Sequence, residues 1–413
     1  MVPEELNAPQ PRQRLAALER IRDRETSPAR GADVNNHIHT TYSFSPYTPA
    51  AAVYMAWRAG LTTAGIMDHD TIAGAEEFIR AGEILGVKTT VGLECRVSFA
   101  GTPLQGRRLN NPDQTDIAYM AIHGVPHGRI GELDAWFAPF RALRDQRNRR
   151  MLERINEWVT PCGIPALDYD RDVLPLAERR GTVTERHLLF ALARALLAGG
   201  ERGRALNRLR LLGVTLSPKA EGYLRDEANP NADYDLLMAL KGDVSPFFIE
   251  AREECPNVRD VLRLCEEIGA ISAYAYLGDV GESPTGDKRA QAFEDGYLPE
   301  LFDTIRDLGY RAVTYMPSRN TAAQLARVRP LCEQYGLLQI SGEDINSPRQ
   351  GFVCPALRDP AFHNLIENTY ALIGHERLAT RDEAAGMFRP RALAQWPDLP
   401  GRVAAYANFG REE

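Results

Sequence analysis

Apolar positions near the start of the chain recur at helical spacing. Leu15, Leu18 and Ile21 alternate with charged residues until Ser27-Pro28 breaks the pattern, which predicts a helix and a tether over residues 1–32. From Asp33 short apolar runs alternate with helical periodicity. Residues 33–39 read as a strand, and Thr48-Pro49 supplies a cap and a first-turn proline for a helix that Gly60 ends. A strand over 62–67, a helix over 70–85 closed by Gly86, a strand over 89–99 and a strand over 116–123 follow. The alternation resumes with strands at 269–276, 311–316 and 337–341 and helices at 298–308 and 321–335. Between these two halves the chain is mainly helical, with long helices predicted over 135–158 and 184–212, and the tail after Pro360 is helical again.

Strands separated by helices predict an α/β fold with a parallel sheet under helices, either open or closed into a barrel. The organisation expected is a first part of the sheet domain over 33–130, a helical insertion or cap over 131–260, a second part over 261–355 and a helical extension over 356–413.

Composition adds mostly exclusions. The 413 residues are 44% hydrophobic and 25% charged, as in an ordinary soluble globular chain. No window approaches the roughly 18 apolar residues of a membrane helix, and residues 1–24 lack the apolar core of a secretory signal. Cytoplasmic residence without a membrane partner is the expectation. A net charge of -7 argues against a nucleic-acid binder that relies on a global positive field, while leaving room for a small anionic substrate. The six cysteines form no CxxC pair and are expected to be reduced and mostly packed inside.

The ligand-type residues fall at strand ends. His37 and His39, two apart on the first strand, share one face, and two adjacent imidazoles form a metal grip. The second strand runs into Asp68-His69-Asp70, the third carries Glu94, the fourth ends at His123 and the last ends at Gly342-Glu343-Asp344. In a parallel barrel the C-terminal strand ends converge on one rim, where active sites lie.

These residues resemble a known family. Asn36-His37-Ile38-His39-Thr40-Thr41-Tyr42-Ser43 is similar to the HxHTxxS motif of the polymerase and histidinol phosphatase (PHP) family, Met67-Asp68-His69-Asp70 to its T-D-H-D, and Gly92-Leu93-Glu94 to its G-x-E. Ala121-Ile122-His123-Gly124 resembles its strand-end histidine, Glu185-Arg186-His187 its R-P-H segment, and Gly342-Glu343-Asp344-Ile345-Asn346 its G-S-D-x-H. The resemblance implies a distorted (β/α)7-type TIM-like barrel that binds divalent ions (Mn, Zn or Fe) and hydrolyses phosphate esters. It implies that His37, His39, Glu94 and Asp344 hold a first metal, that Glu94 and His123 hold a second, and that His69 belongs to a third. The chain departs from the pattern at Phe44, where the family has a ligand, at Tyr276, which replaces the A-H-P histidine, and at Asn346, which replaces the closing histidine. One firmly held ion or two, rather than three, is therefore expected.

The function expected is a metal-dependent hydrolase, a phosphoesterase on a small phosphorylated metabolite. Alternatives are a non-phosphatase metalloenzyme (another hydrolase, a lyase or an isomerase) and a non-catalytic metal-binding regulator. A bound ion would acidify a water, and Asp68, His69 or Asp70 would carry the proton. Arg107, Arg108, Arg319 and Arg349, in loops on the rim side, are the anion clamps expected, with Tyr276 and Asn346 facing the substrate space. The six arginines between Arg141 and Arg154 are expected to form a solvated helix face.

Overall fold

The computed structural model describes residues 2–198, 202–242, 246–281 and 291–412. Seven strands form one sheet in sequence order: β1 Val34–Ile38, β2 Thr63–His69, β3 Lys88–Ser98, β4 Ile117–His123, β5 Ile271–Ala275, β6 Ala312–Thr314 and β7 Leu338–Ile340. The sheet curls until its edges meet. Beyond β7, Ile345 bridges Ile38 of β1, with His39 N–H donating to Ile345 O at 3.0 Å and Ile345 N–H to His37 O at 3.1 Å.

One strand departs from the expected parallel order. β4 runs antiparallel to both β3 and β5, and all other neighbouring pairs are parallel. The β3–β4 connection, residues 99–116, carries no crossover helix, so the chain returns alongside β3 rather than passing behind the sheet.

Strand alternation divides the apolar residues between two cores. Ile66, Val91, Leu93 and Ile122 pack under the outer helices, whereas Met67, Ala121, Ala273, Ala312 and Ile340 face inward. Helices of the C-terminal extension, His363–Arg381 and Leu399–Glu412, complete the inner cluster through Leu372, Tyr406 and Ala407. Those two helices touch backbone to backbone, because a Cβ on Gly374 would lie 2.0 Å from Tyr406 O.

Local signals explain the outer helices. Thr48 Oγ1 accepts from Ala51 N–H at the start of Pro49–Arg58, and Gly86 adopts φ 64° to end Ala75–Leu85. Between β4 and β5 lie the helices Ile130–Val159, Glu185–Leu197, Arg202–Leu211, Pro218–Arg225 and Ala232–Leu240. They share an apolar cluster of their own that includes Ile155, Leu192, Leu209, Leu236 and Phe247. The single helix expected over 184–212 is two helices, and residues 199–201 lie outside the described residues. The arginine run is a solvated face only in part: Arg149, Arg150 and Arg154 are exposed, whereas Arg144 and Arg147 are buried, because they lie in the 3–4 residue spacing of Met151 and Ile155 on the inward side of their helix. Five of the six free cysteines are buried and Cys162 is half-buried. No helix among the described residues is long and apolar enough to cross a membrane.

Candidate metal centre

β1 delivers His37 and His39 to the inner face, with their Nε2 atoms 3.3 Å apart. On β3, Glu94 pairs with His69 of β2 and so shares that face. Its Oε2 lies 3.2 Å from His69 Nδ1 and 3.9 Å from His37 Nε2. Asp344, past the end of β7, brings Oδ1 to 3.1 Å from His39 Nε2. This approach depends on Gly342, where a Cβ would stand 2.6 Å from His37 N. Five side chains from both ends of the sheet thus converge, and ligand atoms of His37, His39 and Glu94 all lie within 4.8 Å of one another.

The loop after β1 is braced from below. Asp68, fully buried, accepts from Thr40 N–H, Thr40 Oγ1 and Ser43 Oγ, each at 2.6 Å. Ser43 Oγ also sits 3.3 Å from His39 Nδ1, which orients the ring whose other nitrogen faces Asp344. Asn346 Nδ2 donates to Asp344 Oδ1 at 2.5 Å.

Burial sets the protonation states. His37 is pushed down to about 4 by burial and by neighbouring His39. His69 lies well below its usual range, through burial and through His39, Arg144 and Arg186. Burial also disfavours charge on His39 and Asp344, but their hydrogen bond prevails: His39 is raised and Asp344 is held well below the carboxylate range. Glu94 is pushed up to about 7 by burial and by Asp344, against the pull of His39. Two imidazoles and two carboxylates gathered this tightly, with a third imidazole alongside, fit a divalent cation. The ion would offset the cost of burying the carboxylates and would occupy the nitrogen lone pairs.

A pH dependence follows from Glu94. Between its usual 4.5 and about 7, the folded chain keeps a proton that the unfolded chain has released. The contribution of Glu94 to stability therefore declines as pH rises through that window. A cation competes with that proton. Added Mn2+ is expected to raise the melting temperature more at pH 8 than at pH 5.5. Thermal denaturation at the two pH values checks this, and an equal or reversed increment contradicts it.

The other anticipated residues have surroundings of their own. His123 faces the same interior but pairs with Ile271, one step beyond the Glu94–Ala121 pair, because β4 runs antiparallel. Its Nε2 is buried without a hydrogen-bond partner, and burial with nearby His37 lowers it to about 3. Asp70, in the left-handed region at φ 52°, is ion-paired to Arg144 at 2.6 Å. Tyr276 turns its hydroxyl to Asp295 at 2.5 Å. Arg349 pairs with Asp235 at 2.6 Å and lies 4.1 Å over the Tyr223 ring, tying the helix Ala232–Leu240 to the rim. Arg107 bonds Glu300, Arg108 bonds Pro112 O, and Arg319 is half-buried in the turn after β6. Phe44 joins His187, Phe190 and Tyr234 in an aromatic cluster, with His187 capping its own helix by accepting from Thr184 N–H.

Two residues near the centre are not among the site residues expected from the sequence. Arg186, half-buried, lies close enough to act electrostatically on His69, Glu94 and Asp344 together. Tyr119 faces inward opposite Arg96, its ring 6.0 Å from that of His69. The two-residue alternation from His123 through Ala121 to Tyr119 is the signal that could have found Tyr119.

The chain is similar to several known proteins. Residues 35–163 match the PHP domain family. A 65-residue segment is 32% identical to the 5'-3' exoribonuclease of Haemophilus influenzae, covering 16% of this chain and 24% of that protein, so the chain spans about a quarter of that curated relative. The fold resembles a protein from Bifidobacterium adolescentis assigned as a metal-dependent phosphoesterase, at TM-score 0.52 and 20% identity over 81% of this chain and 96% of the other. It also resembles an amidohydrolase from Chromobacterium violaceum solved with bound sulfate and no metal, at TM-score 0.51 and 16% identity over the same shares.

Proposed function

We propose that the chain, whose residues 35–163 match the PHP domain family, is a metal-dependent hydrolase, specifically a phosphoesterase acting on a small phosphorylated metabolite. The observation that carries this reading is the convergence of His37, His39, Glu94 and Asp344 beside a cationic Arg186. The four ligands suit one firmly held Mn, Zn or Fe ion. When bound, such an ion lowers the pKa of a water and polarises a phosphoryl oxygen.

The chain's own groups supply the rest. Arg186 meets the negative charge of the phosphoryl group and offsets the charge that builds on it. Asn346 and Ser43 hold Asp344 and His39 in orientation, which keeps ligand geometry fixed while substrate enters. Asp68 and Asp70 are both engaged in structural contacts, which leaves His69 as the proton carrier. It is neutral and sets Nδ1 against Glu94, so Nε2 is the atom that takes up the proton.

A panel of small phosphate monoesters and diesters, assayed with added Mn2+ beside a 5'-phosphorylated oligoribonucleotide, tests the reading. Turnover of a small ester, faster than the oligonucleotide and with its kcat/KM reduced in Arg186→Ala, is the expected result. Silence on every phosphate ester by protein that binds Mn2+ would refute it and point to hydrolysis of another bond.

A further inference from the structure

Beside the metal centre lies a buried ion network whose chemistry the proposed reaction does not use. Arg96 bonds Glu185 at 3.1 Å and Glu254 at 3.2 Å. Arg144 bonds Asp70 and Glu185, each at 2.6 Å. Arg147 bonds Glu185 and Glu254 as well. Three cations face three carboxylates, and each arginine side chain is no more than 6% exposed. Buried ion pairs recover little net stability after desolvation, so holding a geometry is the better account of such a network.

Glu185 is the hub, receiving all three arginines. Two members of the network are rooted next to the metal centre. Arg96 stands two residues after Glu94 on the same face of β3, and Asp70 immediately follows His69. Glu185 itself opens the helix Glu185–Leu197, and its next residue is Arg186. On the other side of Arg186, His187 Nδ1 accepts from Thr184 N–H at 2.9 Å, so the first turn is pinned on both flanks.

We propose that Glu185 is a positioning residue: its three arginine contacts fix the start of its helix so that Arg186 stays aimed at an anion bound in the metal centre. This rests on reading Arg186 as the phosphate clamp. The network makes a rigid connection between the helical segment and the strand ends, so the clamp and the ligands hold one mutual geometry.

A double-mutant cycle tests the inference, with inorganic phosphate as the probe on Mn2+-loaded full-length protein. Arg186→Ala is expected to weaken phosphate binding by roughly ten- to a hundredfold, as loss of a charge-assisted contact does. Glu185→Gln is expected to weaken it about tenfold, by the same loss at one remove, with Mn2+ stoichiometry unchanged. The double mutant should bind no worse than Arg186→Ala alone. Glu185→Asp keeps the charge on a shorter arm and should fall between wild type and Glu185→Gln. It also serves as the probe if Glu185→Gln does not fold. With a turned-over ester the loss should appear in KM more than in kcat. If Arg186→Ala binds phosphate normally, the clamp reading fails. If Arg186→Ala binds weakly while the Glu185 variants bind normally, or the two effects add, the clamp stands and the positioning role is overturned.

Discussion

Protein carrying Glu94→Gln is expected to bind Mn2+ at least about a hundredfold more weakly than the parent, at or beyond the upper end of what loss of a supporting group costs, and to lose hydrolysis with it. Glu94 is the carboxylate between two imidazoles, 3.9 Å from His37 and 3.2 Å from His69, whereas Asp344 is the carboxylate paired with His39. The amide keeps the shape but removes the anion. It also removes a buried carboxyl that resists ionisation up to about pH 7. Without metal, the variant should therefore be at least as stable at pH 8 as the metal-free parent. Mn2+ titration by calorimetry and a pair of urea melts check both halves. Tight stoichiometric Mn2+ binding by the variant would remove Glu94 from the ligand set.

The second large effect belongs to Asp68. Asp68→Ala should lower stability by roughly 3–5 kcal/mol, because it strands the Thr40 N–H and two hydroxyls that Asp68 now accepts. The loop from Thr40 to Ser43 would loosen, and with it the orientation of His39, so Mn2+ affinity should fall in parallel. Asp68→Asn, which retains one acceptor oxygen, should lie between. A chemical denaturation series with a common m-value measures the loss. Unchanged stability together with a lost limb of the pH–rate profile would instead make Asp68 a proton carrier.

Much of this centre is legible in the amino-acid sequence. His37 and His39 alternate with Ile38, and that period of two alone puts both imidazoles on one side of β1. Glu94 and Asp344 follow from the same logic of strand ends. What alternation does not carry is strand direction. Nothing in residues 117–123 says that β4 runs backwards, and so His123, placed at a strand end by sequence, lies at the other end of the inner face from Tyr119. The buried arginines are readable in part. Arg144 and Arg147 share the 3–4 residue spacing of Met151 and Ile155, an apolar stripe, although the carboxylates that neutralise them come from Asp70, Glu185 and Glu254, far off in sequence. Loop side chains are the least legible. Tyr276, Arg108 and Arg349 take partners set by tertiary neighbours rather than by local pattern.

The join between β1 and Ile345 gives the centre a second meaning. His37 and His39 belong to the opening strand of the domain and Asp344 to the segment that follows its final strand, so the ligand set straddles the seam where the sheet meets itself. An ion held there would act as a rivet between segments about three hundred residues apart in sequence. Loading the site and fastening the seam would then be linked equilibria, so that binding the ion strengthens the closure of the barrel.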